Sequence, residues 1–184
     1  LRATERAEVA DLAEQYREHL TADADVEAHP EKYFDEIIEL DLDTLEPYIV
    51  GPHSPDRARP LSELAAEARA ERFPEAFKTA LIGSCTNSSY EDLERAAHVA
   101  RQAAAHGLKS QIKLMVTPGS TQVFETIKRD GQLEAFEKIG ATVLANACGP
   151  CIGMWKRDDV APDETNAILT SYNRNFPKRN DGSP

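Results

Sequence analysis

Cysteine is scarce in this 184-residue chain. Cys85, Cys148 and Cys151 are an odd number, which cannot close into a disulfide set within one chain, so metal or thiol chemistry becomes the question to ask of them. Histidine offers no help: His98 and His106 fall in a predicted helix, His19, His29 and His53 lie far upstream, and none has ligand spacing with the cysteines. Basic charge is also short. With 21 Lys and Arg against 32 Asp and Glu, the net charge of -11 leaves no chain-wide footprint for nucleic acid or an anionic membrane, and the acidity reads as a solvated surface. No apolar run approaches the roughly 20 residues of a membrane span, and no charged-then-apolar leader opens the chain. A protein without a membrane partner, working in the cytoplasm or another reducing compartment, is expected.

What is present suits a globular chain, with 41% hydrophobic residues and length enough for one compact domain plus flanking elements. Val9, Leu12, Ala13, Tyr16 and Leu20 recur at helical spacing and predict an amphipathic helix over Thr4 to Leu20, with Thr4 as N-cap and a packing role. Residues 21–30 read as a surface connection, and a short strand is expected at Glu36 to Leu40. Four prolines and a glycine interrupt Pro47 to Pro60, a linker or wrapping arm. Leu61 to Arg72 reads as another helix. Residues 1–78 are thus expected to be a helical and extended lead-in segment.

Beyond Thr79 short apolar runs alternate with helical stretches. Strands are predicted at 79–84, 111–116, 141–147 and 167–171. The intervening helices are predicted from a capping box at Ser88-Ser89-Tyr90-Glu91 through His106, from Ser120 to Arg129, and around Leu133 to Lys138. Alternation of this kind predicts an α/β fold over 79–184, a parallel sheet with helices on both faces. Ligands in such sheets gather outside the carboxyl ends of the strands. Cys85, Thr117-Pro118-Gly119-Ser120, Cys148 and Asn173-Arg174 each follow a predicted strand, so all belong on one edge.

Cys148-Gly149-Pro150-Cys151 is a C-x-x-C whose middle residues force a tight turn, bringing two sulfurs near one inorganic centre, with Cys85 able to supply a third. Zinc normally wants a fourth protein ligand, and a thioredoxin-like redox pair normally opens a helix after the first strand. Three thiolates without a fourth ligand suit a four-iron cluster with one iron left open, a Lewis acid rather than an electron carrier.

Three stretches, 82–88 (Ile-Gly-Ser-Cys-Thr-Asn-Ser), 145–153 (Ala-Asn-Ala-Cys-Gly-Pro-Cys-Ile-Gly) and 170–176 (Thr-Ser-Tyr-Asn-Arg-Asn-Phe), closely resemble the aconitase superfamily and occur in its order. The resemblance runs from about Thr79 to the end, and more weakly back through Gly51-Pro52-His53-Ser54-Pro55-Asp56. It implies that Cys85, Cys148 and Cys151 hold a 4Fe-4S cluster and that Arg174 and Arg179 bind substrate carboxylates. Planar, permanently charged forks suit a tricarboxylate. Asn87 and Asn173 are then expected to orient cluster sulfurs or substrate. Trp155 is expected to pack beneath the C-x-x-C loop, and the Ser88 hydroxyl to cap a helix rather than act as a nucleophile.

The run Ser171 to Phe176 followed by Arg179-Asn180-Asp181 looks more like aconitases than like isopropylmalate or homocitrate isomerases. The implied reaction is interconversion of citrate and isocitrate through cis-aconitate. The resemblance also implies that a serine base and other substrate-binding groups lie in other domains of a parent enzyme. The chain, opening at Leu1 and closing on a turn-like run, is therefore expected to be an internal piece, inactive alone, of a monomeric enzyme. Other classes remain open. One is an iron-sensing RNA-binding relative, against which the acidity argues. Another is an anion-binding α/β module using Thr117 to Ser120 at a helix N-terminus.

Overall fold

The computed structural model describes every residue except His53, Glu75, Pro162, Asp163, Thr165, Asn173, Arg174, Ser183 and Pro184. It divides into two compact units, Leu1–Leu45 and Glu46–Pro184.

In the first unit the expected long helix is broken. A 3-10 turn at Arg2–Thr4 precedes α1 (Ala7–Gln15), and a second turn follows at Arg17–His19. Thr4 does not cap α1; its hydroxyl donates to the Leu1 carbonyl at 3.0 Å, and Arg6 holds the N-cap position without a side-chain bond. A one-turn helix, α2 (Ala24–Ala28), occupies the expected connection. No strand forms at Glu36 to Leu40, where no neighbouring strand supplies backbone partners.

The second unit opens with the Pro-rich stretch, which is a hairpin rather than a linker. β1 (Tyr48–Val50) and β2 (Ala58–Pro60) pair antiparallel, with Val50 opposite Ala58. A 3-10 turn (Leu61–Glu63) then leads into α3 (Leu64–Ala70). Charge pins the hairpin to this helix: buried Arg59 pairs with Glu67, and Arg57 reaches Glu67 at 3.1 Å and Glu71 at 3.2 Å. Both guanidiniums lie over the Phe73 ring, 4.8 and 5.6 Å from its centre. Proline tolerates end and edge positions of a two-stranded ribbon: Pro47, Pro52 and Pro55 lie outside the two strands, and Pro60 is the last residue of β2.

The sheet follows the predicted alternation. β3 (Thr79–Ile82), β4 (Lys113–Val116), β5 (Thr142–Val143) and β6 (Ile168–Thr170) form one parallel sheet in the order β5-β4-β3-β6, with Ile82 opposite Val116 and Leu81 opposite Thr170. Between them run α4 (Tyr90–Ala105), α5 (Thr121–Arg129) and α6 (Gln132–Lys138), so the fold is α/β with a parallel sheet flanked by helices. The core joins Leu93, Ala97 and Ala100 of α4 to Val116, Ile127, Ala135 and Phe136. Full burial of a side chain such as Leu93 or Phe136 contributes about 1.5–3 kcal/mol.

Helix α4 begins one residue later than the expected box. Ser89, not Ser88, is the N-cap: its hydroxyl accepts from the Asp92 N–H, and the Asp92 carboxylate accepts from the Ser89 N–H at 3.0 Å. Ser88 is fully buried instead, with its hydroxyl donating to the Ser84 carbonyl. Among the described residues no helix is long and apolar enough to cross a membrane.

Candidate functional site

Each sheet strand runs out at the same edge, and the loops that leave it bond to one another. After β3, Ser84 takes the left-handed conformation at φ 72°, and its hydroxyl accepts from the Thr86 and Asn87 N–H groups at 3.4 Å. An L-residue held there stores roughly 1–2 kcal/mol. The turn it makes carries Cys85 out to an exposed position. Next to it the β4 loop packs tightly: the Gly119 N–H donates to the Ser88 carbonyl at 3.1 Å, and a side chain at Gly119 would press on that oxygen at 2.9 Å. The loop after β6 is stitched to the Cys85 loop through Ser171, whose hydroxyl accepts from Gly83 N–H at 3.0 Å and whose carbonyl accepts from the Asn87 amide. Asn87 therefore joins two loops of the edge.

The C-x-x-C lies in a 3-10 turn, Gly149–Cys151, in which the Cys151 N–H donates to the Cys148 carbonyl at 2.9 Å. Pro150 is buried beneath it, while Cys148 is exposed and Cys151 half-buried. All three cysteines are free thiols. Cys85 and the pair follow β3 and β5, which flank β4 on the same edge. Among the described residues, however, no three His, Cys, Asp or Glu side chains stand close enough together to hold a metal ion. The fold brings the cysteine loops to one edge without drawing the three sulfurs to a point.

Arg179 stands at the cysteine turn. Its Nη2 donates to Cys151 Sγ at 3.4 Å, its guanidinium lies 5.0 Å from the Phe176 ring centre and 5.7 Å from that of Tyr172, and its Nε–H is buried without a hydrogen-bond partner. Burial, and then negative charge on Cys151, push the Tyr172 phenol up to about 12, while Arg179 pulls the other way. Gly153, at φ 77°, lets the segment after the cysteines lie against the Arg179 turn; a Cβ there would sit 2.9 Å from the Lys178 carbonyl oxygen. Asn173 and Arg174 lie outside the described residues. Their neighbour Asn175 donates to the Val50 carbonyl at 3.0 Å and so fastens this loop to the β1–β2 hairpin.

Trp155 packs against cations, with Arg157 4.3 Å and Lys113 5.4 Å from its ring centre. The Ser120 hydroxyl accepts from the Val123 N–H at 3.1 Å, so it caps its own helix α5 rather than presenting a free group to an anion. Sequence reasoning missed Arg157 and gave Asp181 no role beyond its place in the Arg179-Asn180-Asp181 run; their side chains are 4% and 6% exposed and 3.7 Å apart. A signal was available for Arg157, a charged residue in the segment that directly follows the C-x-x-C motif.

The aconitase family (aconitate hydratase) model matches residues 1–184. The chain is 54% identical over its whole length to the mitochondrial aconitate hydratase of Saccharomyces cerevisiae and 51% identical to the probable mitochondrial aconitate hydratase of Dictyostelium discoideum. It is 50% identical to the mitochondrial enzyme of Schizosaccharomyces pombe, and in each case it spans 23% of the relative's length. With a family model covering every residue and identities near one half along its full length, the chain belongs to the aconitase family.

Proposed function

We propose that the parent polypeptide is an iron–sulfur hydro-lyase of the aconitate hydratase type, interconverting citrate and isocitrate through cis-aconitate. Residues 79–184 would be its cluster-binding domain. The observation that carries the reading is the Arg179 guanidinium at the Cys151 sulfur, with one buried N–H still lacking an acceptor, next to a turn that presents two free thiols. A fixed cation with a spare donor beside soft sulfur ligands is what a carboxylate-bearing substrate and a thiolate-held cluster both require. The donor chemistry fits a 4Fe-4S cluster held by Cys85, Cys148 and Cys151, and closure of the three sulfurs onto one point is part of the proposal. The cluster, when bound, supplies a Lewis-acidic iron with a position open to substrate.

This chain's own residues do the holding and orienting. Arg179 binds a substrate carboxylate, with Arg174 proposed as its partner from the resemblance. Asn87 steadies the Cys85 loop through its bond to Ser171, and Asn173 is proposed from the resemblance to orient cluster sulfurs or substrate. The serine base and other substrate contacts would come from the rest of the parent, so the chain alone is proposed to be inactive. A monomeric enzyme of the mitochondrial matrix, or of the cytoplasm in a host without mitochondria, completes the reading.

The test is anaerobic reconstitution with iron and sulfide, read by visible absorbance and paramagnetic resonance, on the wild-type chain and on Cys148→Ser. Cluster absorbance in the first and not the second is expected. Zinc occupancy, or equal signals in both, would overturn the ligand assignment.

A further inference from the structure

Two segments of the site run side by side. Cys151 faces Arg179, and Gly153 faces the backbone of Lys178. Farther along, Arg157 faces Asp181, with Arg157 Nη1 3.7 Å from Asp181 Oδ2 and both side chains withdrawn from water. Arg157 is held on three sides. One edge of its guanidinium is a two-point bond to Asp159 at 2.7 and 3.0 Å, and its face lies on Trp155. The remaining Nη1 is buried without a hydrogen bond, so its nearest compensation is the Asp181 charge. Asp181 is gripped in turn by the Asn166 amide at 3.2 Å. A buried cation with one unbonded N–H strongly favours the nearby carboxylate, because the charge would otherwise lose hydration uncompensated. Only a planar fork can satisfy Asp159 with one edge while aiming a separate N–H at Asp181, which a lysine's point charge cannot do.

We infer that Arg157 is a positioning residue: through Asp181 it sets where the Arg179 guanidinium stands relative to Cys151. The inference rests on the proposed reading of Arg179 as a carboxylate-binding group. Asp181 lies two residues beyond Arg179 in the same turn, so any shift of the ion pair is passed to Arg179 through a short, packed stretch of backbone. Such a residue touches no reacting atom, and its loss weakens substrate binding more than it slows turnover.

The experiment uses the full-length parent enzyme as wild type, Arg157→Gln, Arg157→Lys, Asp181→Asn and the double variant Arg157→Gln/Asp181→Asn. Each is reconstituted anaerobically and measured for cluster absorbance per chain, thermal midpoint, and KM and kcat with isocitrate. The expected result is unchanged cluster content, with KM raised about tenfold in Arg157→Gln and kcat within about threefold. Asp181→Asn should move in the same direction and Arg157→Lys less far. The double variant should be no worse than the worse single, because the two residues act as one unit. A lowered thermal midpoint with unchanged KM, or KM effects that multiply in the double variant, would overturn the inference. If the Gln variant fails to fold, the Lys and Asn variants decide the same question by the same KM criterion. A wild type showing neither cluster absorbance nor turnover overturns the parent reading first, and this inference with it, before any variant is compared.

Discussion

The helix α1 of the first unit and the helix α4 of the second have similar sequence patterns and opposite fates. In α1 and the turn after it, Val9, Leu12 and Leu20 are 50, 55 and 67% exposed, and only the small Ala10 is buried. In α4 the equivalent stripe of Leu93, Ala97 and Ala100 is 0 to 2% exposed, because α6 and the sheet lie against it. Periodicity says which face of a helix is apolar, but not what covers it. Helical stability in proteins comes mostly from that cover rather than from propensity, which is consistent with α1 breaking into short pieces where one long helix was expected.

The sharpest way to break this comparison is a matched pair of truncations on the chain. Phe136→Ala removes a ring that is 1% exposed and should cost about 3–5 kcal/mol in urea unfolding. Leu12→Ala should change stability by less than about 0.5 kcal/mol. Comparable losses at both positions would mean that the α1 face is covered in solution, and the contrast between the units would collapse.

A smaller effect separates backbone strain from contact at the site edge. Gly153 and Gly107 both have left-handed φ, 77° and 69°, but a Cβ at Gly153 would meet the Lys178 carbonyl while one at Gly107 would meet nothing. Gly107→Ala should cost about 1 kcal/mol from conformation alone. Gly153→Ala should cost more, about 2–3 kcal/mol, since the object in its way is backbone. Equal losses by urea titration would show that the close packing of the cysteine segment on the Arg179 turn contributes nothing.

The same contrast explains what could be read from sequence. The β–α alternation after Thr79 was legible because each strand there is an apolar run beside a helical repeat, and the order of the segments alone places Cys85, Thr117 to Ser120 and Cys148 on one edge. The hairpin at 48–60 was not, because four prolines hide a ribbon whose anchors, Arg59 with Glu67 and Asn175 with Val50, lie up to 125 residues away. The expected strand at Glu36 to Leu40 failed for the converse reason: a suitable run with no partner. At the candidate site, the cysteines, Arg179 and Asp181 stand in motifs, whereas the burial that sets Asp181 against Arg157 is not announced by charge in a sequence.

Capping offers a third, finer probe of the well-covered helix. Ser89→Ala removes the acceptor for Asp92 N–H and should cost about 1 kcal/mol, with fraying of the first turn of α4 visible by amide exchange. Ser88→Ala should leave that first turn protected, because the Ser88 hydroxyl bonds to Ser84 rather than to the helix. If protection is lost in Ser88→Ala and kept in Ser89→Ala, the register read from the structure is wrong by one residue and the sequence expectation stands.

The smallest expected effect compares two ion pairs, one in each unit. Arg2 and Asp11 meet at 2.7 Å with side chains 59 and 67% exposed, and solvent screening leaves such a pair almost no net value. Asp159 is also largely in water, 47% exposed, but its partner Arg157 is fixed by burial. The Arg157 hydrogen bonds hold the Asp159 carboxyl down to about 2, against the weaker opposition of desolvation, with the charges of Arg157 and Lys113 adding to the depression. A carboxyl depressed in the folded state binds protons more readily when unfolded. Its stabilisation is therefore complete above the ordinary carboxylate value of about 4 and disappears as pH falls through that value towards 2. Exposure limits its size to less than about 1 kcal/mol. Urea midpoints of wild type and Asp159→Asn should differ near pH 6, draw together below about pH 4 and meet only once pH has fallen through about 2, whereas at pH 6 wild type and Asp11→Asn should coincide. A gap for Asp159→Asn that stays constant with pH would show that Arg157 does not discriminate between the charged and neutral carboxyl, and would remove one of the three supports that hold its guanidinium in place.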